Sequence, residues 1–128
     1  MTRYPLERVG NLLVTKAAIS GLASVKVVRL LVDTGSAYTI LPVEVLESIG
    51  CSPAVSPEHV RLITGSGYVM AAKVRVVWLQ CLGQQRDHMV VVVHTLPVGS
   101  LVDGLLGMDV LRPLRANILL ADGMIEMP

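Results

Sequence analysis

Phenylalanine is absent from this chain of 128 residues, and aromatic residues of all kinds make up only 3%. The core must therefore come from Val, Leu, Ile and Ala, which supply most of a hydrophobic fraction of 52%. β-Branched enrichment with frequent Gly and Pro favours strands. Charge is also scarce, at 16% of residues and a net +1, with no basic run and no basic–aromatic interleaving. Nucleic acid is therefore not an expected partner. Long hydrophobic runs are missing too. The longest candidates, around Met89 to Val93 and Val27 to Val32 (the latter interrupted by Arg29), are strand-sized, well short of the roughly 18 consecutive apolar residues of a membrane span. No membrane partner is expected. Met1-Thr2-Arg3-Tyr4-Pro5 lacks the basic-then-apolar order of a secretory signal, so a cytoplasmic chain is expected.

Chemistry-bearing residues are equally sparse. Cys51 and Cys81 lie far apart and form no metal-ligand spacing. Two buried, reduced thiols are expected, with one disulfide as the alternative. His59, His88 and His94 share no ligand spacing either, so no metal or other cofactor is expected. The cysteines also lack a His-Asn context for nucleophilic catalysis. No internal repeat or low-complexity segment interrupts the chain. Its length suits one domain over residues 1–128 with a core of its own. So high an apolar fraction further suggests burial against a second subunit.

Turn residues divide the chain into short elements. Leu12 to Ile19 and Val25 to Val32 read as a hairpin around residues 20–24. Ala37 to Leu41 continues extended, and Pro42 opens a helix with apolar residues at Val43, Leu46 and Ile49, stopped at Gly50. Cys51 to Pro57 is a loop. Val60 to Ile63 and Tyr68 to Val77 read as strands joined by the tip Thr64-Gly65-Ser66-Gly67. Trp78 to Leu82, a turn at 83–85, and Asp87 to His94 form a further hairpin. Its run Met89 to Val93 is apolar on both faces and so belongs inside a sheet. Leu96 to Val102 is a loop. Met108 to Leu111 is a helical turn stopped before Pro113, with Asp109 as its N-cap or first-turn acid. Ile118 to Leu120 and Met124 to Glu126 flank Ala121-Asp122-Gly123 as a last hairpin.

The stretch Leu30-Leu31-Val32-Asp33-Thr34-Gly35-Ser36 organises the rest. An aliphatic strand ends in one acid, and Gly35 permits a sharp turn immediately after it. A carboxylate at the lip of an apolar core is costly unless hydrogen-bonded, protonated or sharing a proton. An ordinary Asp turn closing a hairpin is the plain alternative.

Asp33-Thr34-Gly35-Ser36, preceded by aliphatics, resembles the catalytic signature of the retropepsin-like aspartic proteases. Gly104-Leu105-Leu106-Gly107 resembles the apolar-apolar-Gly element that packs beside the catalytic loop in that family. The resemblance covers Leu12 to Met127. It implies an all-β, closed, barrel-like retropepsin fold with one or two short helices and a flap. The flap would be the hairpin carrying Gly65, Ser66, Gly67 and Tyr68, closing over an extended peptide; a plain surface hairpin is the alternative. The resemblance also implies Asp33 as the catalytic acid, Thr34 hydrogen-bonding across a dimer axis, and Gly35 bringing backbone N–H groups to the carboxylate. Ser36 would donate to the outer oxygen of Asp33, and Leu105, Leu106 and Gly107 would support the loop. Some relatives carry Arg near that second element, where this chain has Met108-Asp109.

Peptide hydrolysis through this chemistry needs two carboxylates holding one proton between them, one as base and one as acid. Aspartic proteases are a standard instance of that logic. Only one Asp-Thr-Gly is present, and neither Asp103 nor Asp109 is followed by Thr-Gly or Ser-Gly. The second acid must come from another copy, which makes the expected unit a homodimeric aspartic endopeptidase acting on extended peptides without a cofactor. The rival expectation is a non-catalytic dimerisation or peptide-binding module on the same fold.

Overall fold

The structure, a computed structural model, describes residues 1–97 and 99–128. Val98, part of the expected 96–102 loop, lies outside the described residues. In chain order the first half holds β1 (Thr2–Pro5), β2 (Glu7–Val9), β3 (Leu12–Ser20), β4 (Val25–Val32), β5 (Ile40–Leu41), α1 (Val43–Ser48) and β6 (His59–Thr64). The second holds β7 (Gly67–Arg75), β8 (Trp78–Cys81), β9 (Gln84–Asp87), β10 (Val90–Val93), β11 (Gly104–Leu106), α2 (Met108–Leu111), β12 (Asn117–Leu119) and β13 (Met124–Met127). Strands dominate, giving the all-β class that the composition implied.

Ten strands join one sheet in the order β6-β7-β10-β5-β11-β4-β3-β8-β9, with β2 added to β3, and it curls into a half-barrel. The hairpin β3–β4 runs in register from Val14↔Leu31 to Ser20↔Val25. Its alternating residues Ala17, Ile19, Val28 and Leu30 are buried and face the main core. β10 lies between β7 and β5, and Val91 and Val92 are almost fully enclosed, as expected for a strand apolar on both faces. A second, three-stranded sheet, β1-β13-β12, brings the two ends of the chain together. Its Ile125 and Met127 reach the same core.

The six residues of α1 are too few for a helix stable on its own. Val45, Leu46 and the following Ile49 are buried in the core. Burial at roughly 1.5–3 kcal/mol per large aliphatic side chain supplies what propensity does not.

The region 82–94 departs from the expected hairpin. Leu82 and Gly83 both take positive φ, forming a two-residue turn of the kind that matches strand twist. β9 therefore starts at Gln84, inside the stretch read as a turn, and pairs with β8. His88, also at positive φ, ends it. The chain then leaves β8 and β10 pairs with β7 and β5 instead.

Candidate active site

The element order places the two singled-out segments side by side. β11 sits between β4 and β5, parallel to β4, with Gly104↔Leu30, Leu105↔Leu31 and Leu106↔Val32. Where β4 ends, the Asp33 N–H donates to the Leu106 carbonyl at 3.0 Å. Close approach is possible because two positions carry no side chain. A Cβ on Gly104 would strike the Ile40 carbonyl oxygen, and one on Gly107 would strike the Tyr38 carbonyl. Leu106 is fully buried and Leu105 packs in a smaller cluster with Tyr38, Ile40 and Val92.

The loop 33–36 is a tight turn. The Ser36 N–H donates to the Asp33 carbonyl at 3.3 Å, and the Gly35 N–H donates to Asp33 Oδ1 at 2.9 Å. Asp33 is half-buried, while Thr34 and Gly35 are exposed. Among the described residues nothing donates to Asp33 Oδ2. Ser36 differs from expectation. Its hydroxyl donates to the Tyr38 carbonyl at 2.7 Å rather than to the Asp33 carboxylate, because the chain turns back within two residues and brings that carbonyl closer. Ser36 thus stiffens the loop and leaves the acid open.

Neither of the other nearby acids approaches Asp33 as a partner. Asp103 Oδ2 accepts the Arg29 N–H at 2.8 Å, and the Asp109 carboxylate accepts from Thr39. Asp109 lies in the first turn of α2, whose N-cap is Gly107. Its side chain does not cap the helix.

Thr39 received no role from the sequence. It is fully buried, yet it precedes an aliphatic pair and resembles any strand-start threonine. Its partner stands 70 positions away, so no local pattern could reveal it.

The hairpin β6–β7 is antiparallel from His59↔Ala72 to Thr64↔Gly67. Gly65 and Ser66 form its tip, followed by Gly67 at φ +128. Ile63, Tyr68 and Met70 are exposed, at 87%, 60% and 60%. Arg61 lies 4.5 Å from the centre of the Tyr68 ring, a cation–π contact across the hairpin. Lower down, the hairpin is anchored by Lys73, whose N–H donates to Glu58 and whose carbonyl accepts from the Ser56 hydroxyl. An anchored base with an apolar, solvent-facing end suits a peptide-covering element.

Among the described residues, two hollows bear on the location of a site. The larger, about 530 Å³, is walled by Cys51, Val74 and Val76 and includes no residue of the 33–36 loop. The other, about 420 Å³, begins at Thr34 and runs between Met108, Arg112 and Ile118. Of the two, the smaller alone is lined by a residue of the 33–36 loop. Cys51 and Cys81 are both free thiols. No cluster of His, Cys, Asp and Glu suited to a metal occurs among the described residues. No helix among them is long and apolar enough to cross a membrane.

The sequence profile of the family described as aspartyl protease matches residues 15–110. Among solved structures, the chain is similar to a retropepsin-like aspartic protease from Rickettsia conorii, with a TM-score of 0.70 and 19% identity. That match covers 97% of this chain and 88% of the other. At such identity the likeness concerns the fold. No curated protein sequence matches the chain.

Proposed function

Because the chain belongs to the aspartyl protease family, we propose that two copies form one aspartic endopeptidase, each contributing its Asp33. The observation carrying this reading is the solitude of Asp33. It is half-buried at a strand end, one of its oxygens accepts the Gly35 N–H, and both neighbouring acids are engaged elsewhere. A single carboxylate can take a proton from water but cannot also supply one to the substrate carbonyl. A two-fold axis beside the exposed Thr34 would bring the missing acid.

Two carboxylates at close range hold one proton between them. The ionised member takes a proton from water, whose oxygen attacks the scissile carbonyl carbon. The protonated one gives its proton to the carbonyl oxygen, forming a gem-diol. The C–N bond then breaks as the amine nitrogen takes up the proton that the first carboxylate gained from water. A gem-diol hydroxyl returns its proton to a carboxylate, and the acid product forms. Thr34 and Gly35 hold the loop, and Leu105, Leu106 and Gly107 support it from below. The peptide binds extended beneath the hairpin tip Gly65-Ser66-Gly67-Tyr68, adding main-chain hydrogen bonds, and the tip excludes water. Ile63, Tyr68 and Met70 favour apolar side chains in the substrate.

Asp33→Asn keeps shape and removes the charge. Cleavage of an apolar peptide library should fall by at least about three orders of magnitude, while the folded state persists by circular dichroism. Unchanged cleavage in this variant would remove the reading. A wild type that captures such peptides and never cuts them would establish the binding-module alternative.

A further inference from the structure

We propose that Asp109 is a positioning residue for the Asp33 loop, acting through the buried hydroxyl of Thr39. The proposal rests on the protease reading for its consequence, but not for its geometry. Asp109 Oδ2 accepts the Thr39 N–H at 2.8 Å, and Asp109 Oδ1 accepts the Thr39 hydroxyl at 2.7 Å. With its proton committed there, Thr39 Oγ1 turns a lone pair to the Gly107 N–H at 3.2 Å. The Thr39 carbonyl accepts the Val92 N–H at 3.0 Å. Every polar group of Thr39 is thereby engaged, at 0% exposure.

Gly107 is the point through which this pair reaches the acid. It lies between two backbone bonds to the loop: Asp33 N–H to the Leu106 carbonyl at 3.0 Å, and Met108 N–H to the Ser36 carbonyl at 2.8 Å. Fixing the Gly107 peptide fixes both ends of the turn 33–36. Asp109 is itself held from a third element. Arg86 on β9 donates from Nη1 to the Asp109 carbonyl at 2.6 Å.

The hydrogen-bond pattern singles out a carboxylate that accepts on both oxygens. It offers two acceptors and no donor, so the Thr39 hydroxyl must donate to it and keep its lone pair for Gly107. Asn at 109 would accept the Thr39 N–H with its oxygen and present an NH₂ to Oγ1. The hydroxyl proton would then lack an acceptor inside a fully buried site, where an unmet polar group is costly. Near-isosteric replacement should therefore loosen the loop although it leaves packing intact.

Four variants test this: Asp109→Asn, Asp109→Ala, Thr39→Val and the conservative Thr39→Ser. Steady-state cleavage of an apolar peptide and amide hydrogen exchange are measured on each. Thr39→Ser should keep kcat within about twofold. The other three should lower kcat by about tenfold to a hundredfold with KM little changed, the effect of misplacing a reacting group. Their Gly35 and Gly107 amides should exchange at least about tenfold faster, while β3 and β4 stay protected. Full kcat with unaltered exchange in Asp109→Asn and Thr39→Val would overturn the proposal. So would protection lost throughout the molecule, since the pair would then hold the whole fold rather than this loop. Exchange needs no turnover. A wild type without cleavage would sink the protease reading and leave the positioning role to be decided by the amides.

Discussion

At Asp33 the governing fact is how few groups attend the carboxylate: one Gly35 N–H on one oxygen and no donor on the other among the described residues. The turn that produces this is legible in the letters Asp-Thr-Gly, because glycine after an acid fixes a tight bend whatever lies around it. The destination of the Ser36 hydroxyl is not legible. It depends on where the Tyr38 carbonyl falls, and that is set by the close packing of Gly107 against residue 38. The pairing of Thr39 with Asp109 is hidden for the same reason, since it joins residues 70 positions apart in the sequence that meet only where β5 and β11 lie side by side. Cys81 yields a separate prediction at this scale. Burial pushes its thiol from 9.0 up to about 11, against the opposing pull of Arg86. An unfolded chain releases that proton near the ordinary value while the folded chain keeps it. Stability contributed by this site is therefore full below pH about 9 and falls as pH rises towards about 11. Urea unfolding across that range should show a loss of roughly 2–3 kcal/mol in the wild type that is missing in Cys81→Ala. Equal losses in both would refute the assignment.

Among the elements, hairpins with glycine tips were the most readable. β4 matches its expected span, and β6–β7 and β12–β13 fall within a residue or two of theirs. β9 and β10 were not separable, because the break is made by His88 in the left-handed region. Histidine is among the residues enriched there, but too weakly to mark a break on its own. β1 and β2 were missed as well, since Thr2 to Val9 owes its strand pairing to β13 and β3. The β6–β7 hairpin offers a direct test of the peptide-covering role. A side chain at Gly67 would meet nothing within 4 Å, but φ +128 is a conformation that L residues resist. Gly67→Val should therefore distort the tip alone, at about 1–3 kcal/mol of local strain. We expect kcat/KM for an apolar peptide to fall about tenfold, in line with the part a closing element plays, with the thermal midpoint little changed. Unaltered kcat/KM would mark the hairpin as an ordinary surface feature.

For the whole molecule, the all-β class was readable from composition, and the pairing of the two singled-out segments from their similarity to a known family. The way the chain's ends meet was not. β1 pairs with β13 of the same chain, so the strands nearest the termini are already partnered to each other. Thr34 and Gly35 face outward, and a hollow runs from Thr34 to Arg112 and Ile118. On the proposed reading, an active unit requires two of these faces. Its most direct test is a mixing series in which wild-type and Asp33→Asn chains, equilibrated to exchange subunits, are assayed at constant total concentration. If both acids are needed, random pairing makes activity follow the square of the wild-type fraction, about one quarter at equal mixture. Activity proportional to the wild-type fraction itself, about one half at that point, would show that each chain works alone and contradict the shared site.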